Sequence, residues 1–263
     1  MHGSANVNIM IKAARKAGRS LNKDFREVEN LQTSAANATE FAKRAESGAA
    51  KLLHDDLAGA RGTYGYVDAN SEAEGEDPTR RWLVNALQGT TNFLHGQPHF
   101  AVTIALEHKG QIASAVVFDP AKDEMFYAEK GSGAWLNDNK RLRASSRTKL
   151  VEAVLGHAMP YGVKRTLPAT LKELARVMPE CSGLRSSGST ALDLAYVAAG
   201  RIDGHWQREA KLVDLAAGLL IAAEAGALVE GVRAGQKPLE DRTVLCANNQ
   251  IFPALAKVIR STG

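Results

Sequence analysis

The chain has 263 residues, 44% of them hydrophobic and 24% charged, which is the balance of a globular protein and excludes a disordered or fibrous one. Its formal net charge of +4 is too mild to mark a dedicated nucleic-acid reader, and the small basic clusters at Lys43-Arg44, Arg80-Arg81 and Lys140 to Arg143 read as solvated surface. No apolar run approaches the roughly 18 residues of a membrane span, the N-terminus MHGSANVNIMIKAARKAGRS has no continuous apolar core of a secretion signal, and Cys181 and Cys246 form no metal-type pair, so a cytoplasmic protein with two buried thiols is expected.

Val7, Met10, Ala14, Ala17, Leu21, Phe25 and Val28 recur at helical spacing and predict an amphipathic helix over 6–29. Phe41, Ala45, Ala49, Leu52 and Leu53 predict a second over about 38–57. Residues 62–81 are polar and read as a loop holding a short strand at Tyr64 to Val67. Strand signals then follow closely: RWLV, FAVTIALE, IASAVVFDP, EMFYAE and GAWLN, separated by HKGQ and KGSG turns. They predict an antiparallel meander over Trp82 to Asn137.

The second half alternates. LVEAVLGHA reads as a strand and TLPATLKELARVM as a helix. STALDLAYVAAGR is a helix that Ser189 or Thr190 caps, and IDGHW is a strand. DLAAGLLIAAEAGA is apolar nearly all round and so a buried helix. ALVEG and TVLCANN are strands, and IFPALAKVIRS is the closing helix. The alternation predicts an α/β (α+β) protein layered αβαβα. Its N-terminal α+β subdomain spans 1–150 and its C-terminal α/β subdomain 151–263, within one compact unit.

The stretch Trp82 to Asn92, WLVNALQGTTN, carries the chemistry question. A strand enters a polar, glycine-containing turn, where strand-end chemistry is expected. Phosphate chemistry with a metal needs carboxylates there, yet Asn85 and Gln88 are amides.

GTTNFLHG at Gly89 to Gly96 resembles a signature of the inositol monophosphatase family of Mg²⁺-dependent sugar phosphatases. Asp214 with Ala216-Ala217-Gly218 resembles its second signature, and GSTALDLAYVAAGRIDG its C-terminal core. The likeness runs from the first helix to the last and is nearest the bacterial extragenic-suppressor branch. It implies the layered αβαβα sugar-phosphatase fold. It also implies in-line attack of water on a phosphate monoester, with two or three Mg²⁺ ions neutralising the phosphate and activating the water.

The resemblance also implies a ligand set, from which this chain departs. An Asp-Pro-Leu-Asp turn is here Asn85-Ala86-Leu87-Gln88. A Glu-Glu pair falls in Val67-Asp68-Ala69-Asn70, where Asp68 stands for the first Glu. Val213 replaces a Trp before the retained Asp214. Thr90 is retained, with Glu46 in place of the Asp that helps orient water, and Gln207 in place of the Glu that contacts the sugar. Mg²⁺ prefers anionic oxygens, and each lost charge at contact distance removes a few kcal/mol of attraction at an effective dielectric near 20. Asp214, with Asp68, is then the remaining ligand.

Other readings compete residue by residue. Asp214 also suits the N-cap of a helix over 214–226. Gly89, Thr90 and Thr91 suit either an anion cradle or a turn that the fold needs. His95 and His99 lack a third zinc ligand. Lys51, His54, Asp55 and Asp56 read as a solvated helix face. Ser187 to Thr190 and Cys181 lack a recognisable nucleophile setting.

The expectation is a pseudoenzyme: the phosphatase fold without phosphatase activity and with no cofactor. It would act as a structural or accessory protein-binding subunit, as a homo-dimer or higher oligomer. On that reading Glu46, Asp68, Asn85, Gln88, Thr90 and Asp214 are vestigial catalytic positions, and Gly89, Thr90, Thr91 and Gln207 vestigial substrate-binding ones. One alternative is a Mg²⁺-dependent sugar or inositol phosphate phosphatase with an altered metal site. Another is an antitermination or RNA-linked regulator, implied by the bacterial branch alone.

Overall fold

A computed structural model describes residues 3–31, 35–159 and 166–261. Helices α1 (Ala5–Leu31) and α2 (Ala35–Ala60) lead into strands β1 (Tyr64–Val67), β2 (Glu72–Ala73) and β3 (Asp77–Gln88). The short α3 (Thr90–Leu94) precedes β4 (Ala101–His108), β5 (Gln111–Asp119), β6 (Glu124–Glu129), β7 (Gly133–Leu136) and β8 (Lys140–Arg141). Then come β9 (Val154–His157), α4 (Leu167–Val177), β10 (Gly183–Arg185), α5 (Thr190–Ala198), β11 (Gly204–Gln207) and α6 (Leu212–Glu224). The chain ends with β12 (Ala227–Glu230), α7 (Pro238–Asp241), β13 (Val244–Asn248) and α8 (Phe252–Arg260).

The layers are αβαβα. Helices α1 and α2 bury Val7, Met10, Leu21, Leu53 and Leu57 against one face of an eight-stranded sheet, where Trp82, Val84, Ile104 and Val116 meet them. The other face of that sheet packs through Leu83, Ala105, Val117 and Phe126 on Leu192, Ala195, Ala217 and Ile221 of α5 and α6. Leu194, Leu215 and Leu219 of those helices face Val244 and Cys246 of a five-stranded second sheet. Leu155, Trp206, Leu245 and Ala247 on its far side cover α4 and α8. Helices α5 and α6 lie between two sheets, which is why their sequences are apolar nearly all round.

The meander over β3 to β7 is antiparallel throughout. Four expectations need correction. Strand β3 starts at Asp77, inside the segment expected to be a loop, because it pairs with β1 in parallel. The same strand runs on to Gln88, so Asn85 and Gln88 belong to the strand and the turn begins at Gly89. LVEAVLGHA opens with a 3-10 turn at Leu150–Glu152, and only Val154–His157 is strand. Helix α6 starts at Leu212 with Lys211 as its N-cap residue, so Asp214 is inside the first turn and is not the cap. The α5 cap is Ser189, which accepts from the Leu192 N–H.

Candidate active site

The end of β3 is shaped by an irregularity. Asn85 pairs with Thr103 and Gln88 with Ala101, so one extra residue on β3 breaks the register between them. Residues three apart point to opposite faces of a regular strand; the bulge lets both reach the same helix end. Gly89 follows at φ +94, and a Cβ there would lie 3.0 Å from the His99 carbonyl oxygen. The turn into α3 therefore requires glycine.

Both amides converge on Asp214. Asn85 Nδ2 donates to Asp214 Oδ1 at 2.7 Å, while Asn85 Oδ1 accepts from the Leu87 N–H at 3.0 Å. Gln88 Nε2 donates to the Asp214 carbonyl oxygen at 3.2 Å. Gln88 Oε1 accepts from Ser189 Oγ at 2.8 Å and from the Ala191 N–H at 2.7 Å. Thr103 Oγ1 donates to the Val213 carbonyl oxygen at 3.1 Å, a further tie between β4 and the start of α6.

Asn85, Leu87, Gln88 and Asp214 line a cleft of about 690 Å³ that also takes in Glu46, Gly89, Thr90, Thr91, Asn92, Ser187, Thr190, Gln207 and Lys211. Thr90 Oγ1 donates to the Leu87 carbonyl oxygen at 3.2 Å, and Thr190 Oγ1 donates to Gln207 Oε1 at 2.6 Å. Asn92 Nδ2 donates to the carbonyl oxygens of His99, at 2.7 Å, and Ser187, at 2.8 Å. It thereby ties the turn after β3 to the loop before α5.

The Glu46 carboxyl titrates above its ordinary range. Burial is the main cause and the charge of Asp68 adds to it, while the Lys211 ammonium opposes both. Asp68 Oδ1 accepts from the N–H groups of Asn70 and Ser71, at 2.8 and 2.7 Å, so that oxygen shapes its own loop.

Of the residues that the sequence marks, Glu46, Asn85, Gln88, Gly89, Thr90, Thr91, Gln207 and Asp214 share the cleft, and Asp68 stands near enough to act on Glu46. His95 is exposed, and His99 is set against the Tyr196 ring. Sequence reasoning set Ser187 aside for want of a nucleophile setting and missed Asn92, Lys211 and Asp193. Ser187 Oγ donates to Asp193 Oδ1 at 2.7 Å, and Asp193 Oδ2 lies 3.2 Å from His205 Nδ1. A carboxylate inside the apolar run TALDLAYVA was the available signal for Asp193, since a buried acid needs a partner. Lys211 sits three residues before Asp214, one helical turn away, and that spacing was its signal.

The residues present do not fit the bridged Mg²⁺ cluster that the family resemblance implies. Mg²⁺ requires oxygen ligands. Both amides turn N–H groups toward Asp214, and both amide oxygens are occupied by protein donors. Among the described residues, no group of three or more His, Cys, Asp or Glu side chains is placed to hold a metal ion.

The layered αβαβα fold, with a polar cleft at the end of β3, is the architecture of the inositol monophosphatase class of protein. The model of the inositol monophosphatase family matches residues 5–263, and the chain belongs to that family. It is 46% identical over 261 residues to an inositol-1-monophosphatase of Rhizobium meliloti (strain 1021), covering 99% of this chain and 98% of that one. It is 35% identical over 258 residues to the Nus factor SuhB of Vibrio cholerae, covering 98% and 96%. The native crystal structure of the extragenic suppressor protein suhB from Bartonella henselae superposes with a TM-score of 0.90 at 39% identity, covering 99% of this chain and 100% of that one.

These likenesses correct two expectations. A chain 46% identical end to end with an inositol-1-monophosphatase does not support a pseudoenzyme or a non-enzyme. The expectation that no cofactor is needed loses its basis with them. The departures at Asn85, Gln88, Asp68, Glu46, Gln207 and Val213 are confined to a few positions, whereas the likeness covers 99% of the chain. Among the described residues no helix is long and apolar enough to cross a membrane.

Proposed function

We propose that this chain is a phosphate monoester phosphatase acting on a sugar or inositol phosphate, with a metal site altered from the one the resemblance implies. The observation that carries the reading is the shared cleft, which brings Glu46, Thr90, Gln207, Lys211 and Asp214 together from three separate stretches of the chain. Its lining contains two carboxylates and one ammonium, so a phosphate dianion meets less negative charge than it would with acids at positions 85 and 88. The Thr190 and Gln207 side chains offer hydroxyl and amide groups to a polyol. Glu46, its carboxyl raised by burial, is suited to take a proton from an attacking water. The free thiols of Cys181 and Cys246 support a cytoplasmic setting.

The test is release of inorganic phosphate from inositol 1-phosphate and from a hexose phosphate, in EDTA and at rising Mg²⁺. Saturable release that Glu46→Gln lowers by about 100-fold, the scale of general-base catalysis, is the expected result. No release above the blank in any of these conditions defeats the reading.

A second reading, an RNA-linked role, is favoured by a separate cavity of about 600 Å³ lined by Arg141, Arg143, Ser145, Ser146 and Thr148, and by the likeness to the Vibrio cholerae Nus factor. RNA binding that weakens with salt and is lost in Arg143→Glu supports it. Absence of binding at low salt removes it.

A further inference from the structure

We infer that Asn85 and Gln88 are positioning residues whose amides hold the cleft together in the way divalent ions hold a carboxylate site, so that its walls stay assembled with no divalent cation bound. The proposal concerns how the cleft is held. It goes beyond the phosphatase reading and holds that no cation resides in the free chain, so that any cation turnover requires would enter with the substrate.

The first argument is that the direction of each amide is forced. The Leu87 N–H takes Asn85 Oδ1 at 3.0 Å, which leaves Nδ2 facing Asp214 Oδ1 at 2.7 Å. The flipped amide would set N–H against N–H and oxygen against carboxylate. Gln88 is fixed in the same way: two donors, Ser189 Oγ and the Ala191 N–H, converge on Oε1. A flipped Gln88 would leave both without an acceptor.

The second argument is what these bonds connect. Asn85 joins β3 to the side chain of Asp214 in α6. Gln88 joins β3 to the Asp214 carbonyl oxygen and also to the first turn of α5. The Ala191 N–H is one of the donors that a helix N-terminus leaves without an intrahelical partner, and here a side chain from another element satisfies it. Two buried side chains, 8% and 6% exposed, thus close a three-element junction over sequence separations above 100 residues.

The third argument is the alternative. A carboxylate at position 85 would set two negative oxygens at the 2.7 Å that now separates a donor from an acceptor. Like charges that close require a cation or a proton between them. The amide turns that repulsion into a charge-assisted hydrogen bond. An aspartate at 88 is one methylene shorter than glutamine and would also bring a second charge to the junction.

The experiment is a set of thermal melts of the full chain, in EDTA and then with about 5 mM Mg²⁺ or Mn²⁺. A resident ion that bound only the folded chain would raise the melt by linkage. The wild-type Tm is expected to stay within about 1 °C across these conditions. Asn85→Asp is expected to melt roughly 5 °C or more lower in EDTA and to recover with Mn²⁺. A wild-type melt that rises several degrees with either ion overturns the proposal, as does an Asn85→Asp melt equal to wild type in EDTA. If Asn85→Asp does not fold, Gln88→Glu replaces the donor toward Asp214 by an oxygen of nearly the same shape. It is expected to melt lower in EDTA, and an unchanged melt overturns the proposal. Failure of phosphate release would leave all these melts as they are, so the two proposals fail separately.

Discussion

Thr190 and Gln207 are joined across the cleft: the Thr190 hydroxyl donates to Gln207 Oε1 at 2.6 Å, which links the first residue of α5 to the last of β11. Among the described residues no protein group accepts from the amide nitrogen of Gln207, which stands at the position where the family resemblance implies a glutamate that contacts the sugar. Gln207→Leu removes that donor and leaves a buried hydroxyl without its acceptor. The expected result is a KM for inositol 1-phosphate raised about tenfold with kcat within about twofold, the pattern of lost binding that is equal in ground and transition states. Steady-state kinetics decide it; a loss confined to kcat would move Gln207 from substrate binding to the chemical step.

Asp193 is 3% exposed and sits between the Ser187 hydroxyl and the His205 ring, which is 0% exposed. Removing a buried acceptor leaves its donor unsatisfied and costs about 1–3 kcal/mol. Asp193→Ala is therefore expected to lower the unfolding free energy read from urea titrations by that amount. Asp193→Asn, which keeps an acceptor for Ser187, is expected to lose roughly half as much. Equal midpoints for the two variants would show that the carboxylate is not recognised as such.

What was legible in the sequence was what depends on near neighbours along the chain. Helices α1 and α2 declare themselves because Met10, Ala14, Ala17 and Leu21 line one face, and all four are buried. The meander was readable because each strand pairs with the next. The parallel pairing of β1 with β3, and of β9 with β10 and β11, was not readable, since those partners meet through intervening helices or loops. The short β10 and α7 have too few residues to show a period. At the site, the changes at 85 and 88 were plain in the motif. Their partners Asp214, Ser189 and Ala191 lie more than 100 residues away. Lys211 reaches the cleft only because α6 begins beside β3. The residue types at 85, 88 and 214 were legible, but the hydrogen bonds that join them were not, because those depend on how β3 meets α5 and α6.

His157 gives the fold a pH dependence of defined sign. Burial against Trp206 pushes its pKa down to about 4, and the contact of its Nδ1 with the Trp206 carbonyl oxygen at 3.0 Å opposes that only in part. The unfolded chain takes up a proton near pH 6.5, and the folded chain resists it until about pH 4. Stability from this residue is complete above pH 6.5, declines as pH falls through the window, and is lost near pH 4. The decline amounts to about 3 kcal/mol. Urea titrations at pH 7 and pH 4.5 are expected to differ less in His157→Phe than in wild type. An equal difference in both would assign the acid sensitivity elsewhere.

Two glycine substitutions are expected to act in opposite directions. Gly89 adopts φ +94 and has the His99 carbonyl oxygen 3.0 Å from where a Cβ would be. Gly89→Ala therefore combines an unfavourable backbone conformation with a steric push on the turn that carries Thr90, and the cost is about 1–3 kcal/mol. Gly48 lies on the exposed side of α2 with nothing within 4 Å of a built Cβ. There alanine only reduces the freedom of the unfolded chain and favours the helix, by about 1 kcal/mol. Urea midpoints should fall for Gly89→Ala and rise for Gly48→Ala, with phosphate release reduced only in the first. A stabilised Gly89→Ala would mean that the turn after β3 is not under the constraint its backbone angle implies.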